Sequence, residues 1–271
     1  MILQDQSIRR PENFRIAKVL RTCRITPRMQ RVTAQVDDLS CFDCPLEALG
    51  PHIHALFPRS ELSEPGWPTV DEKGQAVYPP PELRPAIRTY SVRRFNHAEN
   101  SMDIDFVLHD HTGIASGWAR RAAIGDEIGL WRPHARVLDE KPPRYVLGGD
   151  HSALPAIGFI LDHLPDDTEG DVIVMIPDRR EELPLRLPPK MRLRWLYSPP
   201  TQGSGNMLIS ALRSLSTSSL QRSFVWLGAE ASVSRDIRAY VRKECGLPSR
   251  QISILNYWKR GMTEGTFDHG E

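Results

Sequence analysis

No apolar run in this 271-residue chain approaches the length of a membrane-spanning helix, so no membrane insertion is expected. The opening stretch MILQDQSIRRPENFRIAKVL is broken by charges and a proline before a secretory apolar core can form, which predicts a cytoplasmic protein. An excess of charge is missing as well. With 35 Lys and Arg against 34 Asp and Glu, the net charge of +1 provides no long-range field to gather nucleic acid, so any basic site must be local. Cysteine is sparse: Cys23, Cys41, Cys44 and Cys245. Cys41 and Cys44 have the spacing of half a metal or redox site, but Cys23 and Cys245 make no second pair. Free thiols in a reducing compartment are therefore expected, and no metal is assigned. Internal repeats, heptad runs and extended low-complexity tracts are also lacking.

What is present divides into two patterns. From about residue 14 to 140, short segments such as FRIAKVLRTCRI, MQRVTAQV, HIHALFP, AIRTYSVRRF and MDIDFVLH read as strands, several of them alternating apolar and polar residues. That alternation suits antiparallel strands with one buried face, and a small β-barrel is the economical architecture. Between Pro58 and Pro85 lie seven prolines counting both ends, which marks a surface excursion rather than a sheet core. The pattern changes at Lys141-Pro142-Pro143. Beyond it, apolar strands such as RYVLGG, DVIVMIP and SFVWLGA alternate with helical segments, which predicts a parallel sheet covered on both faces. The expected fold is thus β followed by α/β: an antiparallel barrel over residues 1–141 and a parallel-sheet nucleotide-binding domain over residues 142–271.

Two short stretches carry the chemistry. In Arg88-Thr89-Tyr90-Ser91, an extended backbone sends Arg88 and Tyr90 to one face and Thr89 and Ser91 to the other. A cation for a phosphate, an aromatic face for an isoalloxazine ring and a hydrogen bond near its N5, from the Ser91 hydroxyl or backbone, are what a flavin needs. By itself this string reads first as an ordinary strand with an arginine and a buried tyrosine. About sixty residues on, Gly148-Gly149-Asp150 ends a strand where open α/β sheets place ligands. It is not a G-x-G-x-x-G fingerprint, which argues against a primary Rossmann-type site there. Between the two, HTGIASGWARRA reads as a loop opening a short helix near Ala115 or Ser116, and free amides at a helix start suit a pyrophosphate. His52 and His54 share a strand face, as do His109 and His111, but neither pair has an evident third and fourth ligand for a metal.

In order along the chain, HIHALFP, RTYSVRRF, DIDFVLHDHTGIASGWARRAAIGDEIGLWRP, GGDHSALPAIGFIL, FVWLGAEASVSRDIRAYVRKECGL and NYWKRGMTEG resemble the siderophore-interacting protein family, within the ferredoxin-reductase superfamily. The resemblance implies a flavin-dependent ferric-siderophore reductase that passes electrons from NADPH, or NADH, through FAD to chelated Fe(III). It implies Arg88, Thr89, Tyr90, Ser91, His109, Ser116, Trp118 and Ala119 at the FAD, and Gly149, Asp150, Ser152, Arg179, Arg180 and Glu230 at the nicotinamide nucleotide. Lys259, Arg260 and Trp258 are the implied substrate residues, with Tyr257 beside the flavin; an edge-strand aromatic pair with solvated cations explains the same string. Three departures stand out. His151 and Ser152 replace the family's acidic residue and threonine, Ser198 stands where an arginine is usual, and Arg179 and Arg180 are flanked by Glu181 and Glu182, as in a solvated loop. These leave open a reduced ferredoxin as donor partner, and a siderophore-binding carrier without catalysis as the reading from another class.

Overall fold

The computed structural model describes residues 9–42, 44–59, 65–109, 113–198 and 205–262. In its first half, strands β1 (Phe14–Thr26), β2 (Met29–Gln35), β3 (Leu49–Phe57), the two-residue pair β4 (Thr69–Val70) and β5 (Ala76–Val77), β6 (Ala86–Asn96) and β7 (Ser101–Val107) precede helix α1 (Ile114–Arg121). Strands β8 (Glu127–Trp131) and β9 (His134–Arg136) follow. The order β6-β7-β2-β1-β8-β3, closed by a β6–β3 pairing, makes a six-stranded antiparallel barrel, with β9 added beside β3. Alternation explains the barrel's filling. Met102, Ile104 and Phe106 of β7 point inward, while Asp103 and Asp105 between them face Arg94 and Arg31, Arg31 gripping Asp105 at 2.6 and 2.7 Å. Among the described residues, the proline-rich stretch carries the short β4–β5 pair, outside the barrel.

The second half runs β10 (Arg144–Asp150), α2 (Leu154–His163), β11 (Glu169–Ile176), β12 (Lys190–Tyr197), α3 (Gly205–Arg213), α4 (Thr217–Gln221), β13 (Phe224–Glu230), α5 (Ala231–Ala239) and β14 (Ile252–Trp258). All pairings in this five-stranded sheet are parallel, in the order β12-β11-β10-β13-β14, so the chain reverses direction between β10 and β13. Both faces are buried, as the continuous apolar strands require. Leu147, Val174 and Trp226 pack under α2, whereas Val146, Ile173, Val225 and Leu227 pack against α3 and α5.

The two halves meet along α2, which lies against β6 and β3. Arg93 of β6 reaches Asp162 of α2 at 2.5 Å, and Phe95 meets the Phe159 ring edge-on at 6.1 Å. Gly158 leaves room for this arginine, since a Cβ would come within 2.8 Å of the Arg93 Nε and displace it. A second tie crosses from the β1–β2 turn. The buried Glu181 carboxylate accepts from the Thr26 hydroxyl and, at 3.3 Å, from the Arg28 amide, and lies 3.4 Å from His151.

Burial alone would raise the Glu181 carboxyl, but the bonds from His151 and Thr26 hold it below the usual glutamate value. A lowered carboxyl favours the folded state at neutral pH and loses that advantage as pH falls through the lowered value. Glu181→Gln is therefore expected to destabilise the protein by about 2 kcal/mol at pH 7, the worth of hydrogen bonds to a charged group. In urea titrations the gap from wild type should narrow as pH drops below the ordinary glutamate range. A gap that stays constant well below that range would contradict the charged-carboxylate account.

Candidate functional site

Strand β6 pairs with β3 so that Arg88, Thr89, Tyr90 and Ser91 stand opposite Ala55, His54, Ile53 and His52. Directly paired residues share a face. Ala55, Ile53 and Val92 belong to the barrel core, so Arg88 and Tyr90 lie on its inner face, and Thr89, Ser91 and Arg93 face outward to the second half. Tyr90 is half-buried, its ring 4.5 Å from that of Phe106 and edge-on to Phe57 at 6.0 Å. Arg88 donates to the Ile87 carbonyl at 2.6 Å and has no acidic partner among the described residues, so its charge is available. On the outer face, the Ser91 hydroxyl meets the Tyr257 hydroxyl at 3.2 Å, and His54 Nδ1 lies 3.1 Å from Thr89 Oγ1.

Helix α1 begins at Ile114, one residue before the earliest start read from the sequence. Gly113 caps it with extended backbone, and His109 is seated against this glycine, where a Cβ would come within 2.7 Å of the imidazole. The His109 amide points to Ser116 Oγ at 3.4 Å, and Arg120 donates to the His109 carbonyl at 2.9 Å. Ser116, Trp118 and Ala119 are buried, Trp118 edge-on to Phe57 at 5.3 Å, so these side chains close the barrel's end. Among its described residues, this segment offers a cofactor a shaped wall and the backbone amides of the helix start. His111 lies outside the described residues. Together, an available cation, an aromatic ring on the same strand face, the Ser91 hydroxyl and the α1 start fit the parts of a flavin nucleotide.

At the reversal of the parallel sheet, Gly149 is held by close packing. A Cβ there would sit 2.3 Å from the Gly228 carbonyl oxygen and 2.5 Å from the Ala153 Cβ. Asp150 follows, and its carboxylate gathers three strand ends. It accepts from the Ser152 amide at 2.9 Å and hydroxyl at 2.5 Å, from the Glu230 amide at 3.0 Å and from the Trp258 indole N–H at 2.8 Å. Glu230 in turn caps α5 through the Ser232 amide at 2.8 Å and accepts from the Arg260 amide at 3.3 Å. Burial would raise the Glu230 carboxyl, but these bonds, the Ser232 hydroxyl first, bring it below its usual value. Tyr257 crosses Gly228, where a Cβ would meet its ring at 2.6 Å; burial pushes its hydroxyl well up, so it stays neutral.

The two arginines after β11 are not equivalent. Arg180 grips Asp178 through Nε at 3.0 Å and Nη2 at 2.8 Å, and these bonds hold the Asp178 carboxyl at about 2. Arg179 is 87% exposed and only loosely paired, 3.6 Å from Glu182, whose carboxylate also accepts from the Tyr197 hydroxyl. Ser198, in the place of the missing arginine, is buried at the end of β12. Lys259 and Arg260 are exposed beyond the end of β14.

A cavity of about 610 Å³ lies along the first half of β14, between that strand, β3 with β9, and α5 with its continuation. Arg136, Arg238 and Arg242 line it, with His52 and His134, and no carboxylate is among its lining residues. Arg136 crosses from the barrel to the Ile252 carbonyl at 2.8 Å, and Arg238 donates to the Ile254 carbonyl, so both cations cover the open edge of β14. The pair His52 and His54 gains a third neighbour, His134 of β9, directly opposite His52. Sequence spacing could not bring in His134, because β9 reaches β3 only through barrel closure; the Arg136–Ile252, Ser91–Tyr257 and Arg93–Asp162 contacts depend on the docking of the second half and leave no local trace either.

An antiparallel barrel bearing a cation-aromatic-hydroxyl strand, followed by a parallel nucleotide-type sheet, defines a ferredoxin-reductase-like flavoprotein. A ferredoxin reductase of carbazole 1,9a-dioxygenase shares this fold at TM-score 0.65 and 12% identity, over 90% of this chain and 69% of that one. Family profiles place it further: a siderophore-interacting FAD-binding domain matches residues 18–137, and a siderophore-interacting protein profile matches residues 142–261. The chain belongs to the siderophore-interacting protein family, and it is an FAD-dependent oxidoreductase of siderophore iron acquisition. It is 29% identical to the ferric vibriobactin reductase ViuB of Vibrio cholerae over 255 residues, 93% of this chain and 92% of that protein. The siderophore-interacting protein SipS from Aeromonas hydrophila superposes at TM-score 0.80 with 26% identity, covering 94% of this chain and 95% of that one.

Proposed function

We propose that the protein is a cytoplasmic ferric-siderophore reductase that takes electrons from NADPH and delivers them, through FAD, to iron in an anionic chelate. The observation that carries this reading is the position of Ser91. It sits on the Arg88–Tyr90 strand, opposite His52, so the strand suited to a flavin borders a cation-lined cavity large enough to admit part of a chelate. Bound FAD supplies the exchange between two-electron hydride chemistry and one-electron reduction of iron. In this reading, Arg88 holds FAD phosphate, Tyr90 and Thr89 shape the ring site, and the Ser91 hydroxyl donates at the ring edge. His109, Ser116, Trp118 and Ala119 form the wall and helix start beside it.

Gly149 and Ser152 let the nicotinamide nucleotide approach the sheet's reversal point. Asp150 keeps Glu230 and Trp258 in place around it. Trp258, Lys259 and Arg260, at the rim, steer the chelate toward the junction. Reduction suits release because oxygen donors hold the smaller, more highly charged ferric ion more tightly than the ferrous ion. Among the described residues no helix is long and apolar enough to cross a membrane. Placement in the cytoplasm rests on the supply of reduced nicotinamide there.

The asymmetry of the arginines sharpens the donor assignment. Arg179 is the cation left to meet the ribose phosphate of NADPH, because Arg180 is already engaged by Asp178. Arg179→Ala is expected to raise the KM for NADPH about tenfold with little change for NADH, whereas Arg180→Ala should act more weakly. Stopped-flow reduction of the bound flavin by NADPH, NADH and reduced ferredoxin tests both points. Fast reduction by ferredoxin alone would replace the nicotinamide donor.

A further inference from the structure

Along β13 and β14, Ala229 stands opposite Asn256 and Glu230 opposite Trp258, so Tyr257 is the extra residue of a bulge. A bulge takes one residue out of the ladder and re-aims its side chain. Here the ring crosses Gly228, where any Cβ would meet it at 2.6 Å, and stands edge-on to Trp226 at 6.2 Å. Bulge, glycine and indole together fix where the hydroxyl goes. It reaches Ser91 Oγ at 3.2 Å, from the parallel sheet to the barrel strand that carries Arg88 and Tyr90.

Which of the two hydroxyls donates follows from what else each can reach. Burial, and the charge of Asp150 nearby, resist ionisation of Tyr257 more than its bond to Ser91 favours it, so the phenol keeps its proton. A buried phenol O–H needs an acceptor. Among the described residues that acceptor is Ser91, because the Asp150 carboxylate is occupied by Ser152, Glu230 and Trp258. A phenol is also the stronger donor and weaker acceptor of the two, since its lone pair is drawn into the ring. Tyr257 therefore donates and Ser91 accepts. A serine hydroxyl has one hydrogen and two lone pairs, so accepting this bond leaves the serine's own hydrogen unused. That hydrogen finds no acceptor among the described residues, although Ser91 is only 8% exposed, and a buried donor in this state calls for a ligand beside it.

We propose that Tyr257 is a positioning residue for Ser91: by donating to Ser91 Oγ it holds the serine's own hydrogen ready for donation at the edge of the flavin ring. With the ring edge at Ser91, as in the reductase reading on which this rests, Tyr257 needs no contact of its own with the flavin. Removing the phenol oxygen leaves Ser91 in place but its hydroxyl free to turn. The loss is then a part of what removing Ser91 itself causes.

Tyr257→Phe keeps the ring over Gly228 and beside Trp226, so the dissociation constant for FAD should stay within about threefold of wild type. The main readout is the Raman band of the C4a–N5 stretch in bound, oxidised FAD, which responds to hydrogen bonding at N5 and needs no electron donor. Ser91→Ala is expected to shift this band, Tyr257→Phe to shift it the same way by about half as much, and the double variant to match Ser91→Ala alone, because groups acting in series are not additive. In the full-length protein, 3-fluorotyrosine at position 257, a stronger donor and weaker acceptor than tyrosine, should move the band the opposite way. In stopped flow, flavin reduction at saturating NADPH should slow about fivefold in Tyr257→Phe, with the KM for NADPH within about twofold of wild type. An unshifted band in Tyr257→Phe, additive shifts in the double variant, or a fluorotyrosine shift in the direction of Tyr257→Phe overturns the proposal while leaving Ser91 at the flavin. An unshifted band in Ser91→Ala removes the flavin edge from Ser91, and the proposal with it. Band shifts as expected in a protein whose flavin NADPH does not reduce would support the role of Tyr257 and count against the nicotinamide donor alone.

Discussion

Replacing Arg88 with Ala is expected to give a folded protein that purifies with little flavin. Arg88 is the available cation on the strand that carries Tyr90 and Ser91, and its contact within the protein is the neighbouring Ile87 carbonyl, so removal strands no buried charge. A charge-assisted contact to a phosphate contributes about 1.5–3 kcal/mol, which weakens flavin binding by roughly one to two orders of magnitude. The measurement is the ratio of flavin to protein absorbance after extended dialysis, with the flavin released by acid identified as FAD. The Arg88→Lys variant should recover part of the loss, because it restores the charge without the planar fork. Full occupancy in Arg88→Ala would move the phosphate site away from β6.

Gly149→Ala should have the largest effect on stability. A Cβ at this position meets a backbone carbonyl, Gly228 O, at 2.3 Å, and the Ala153 Cβ at 2.5 Å. Neither obstacle is the end of a flexible side chain, so β10 and β13 must separate where the chain reverses and where Asp150 gathers three strand ends. Overpacking of this kind costs about 3 kcal/mol or more, which lowers the unfolding midpoint by several degrees for a domain of this size. Gly148→Ala makes the comparison. There the nearest atoms lie at 3.3 Å and include the movable Leu227 side chain, so a smaller loss is expected. Equal losses at the two positions would show that the tight approach at Gly149 does not govern the fold.

The sequence shows most clearly those features that lie within one element. Period-two alternation in MDIDFVL and the unbroken apolar run of DVIVMIP assign barrel and parallel sheet correctly, because each strand's burial is written in its own side chains. The facing of Arg88 with Tyr90, and of Thr89 with Ser91, follows equally from one strand's geometry. Contacts made by closure and docking leave no local trace. Ser91 and Tyr257 are 166 residues apart, Arg136 and Ile252 are 116 apart, and Thr26 and Glu181 are 155 apart. The work of Asp150 illustrates the difference. A strand-terminal aspartate reads as a ligand contact from sequence, whereas in the fold its carboxylate fastens Glu230 and Trp258. Arg180 reads as a solitary cation in the sequence, whereas in the fold Asp178 engages one edge of its guanidinium through Nε and Nη2.

The central claim is electron passage from nicotinamide through FAD to a ferric chelate, and an anaerobic double-mixing experiment tests it most directly. Protein carrying its flavin is first mixed with one equivalent of NADPH, then with an anionic ferric siderophore and a chromogenic ferrous trap. The account predicts loss of the oxidised flavin band in the first step. In the second step the band should return in proportion to chelate added, with two ferrous ions trapped per flavin reoxidised. A flavin that NADPH reduces but the ferric chelate leaves reduced would contradict it.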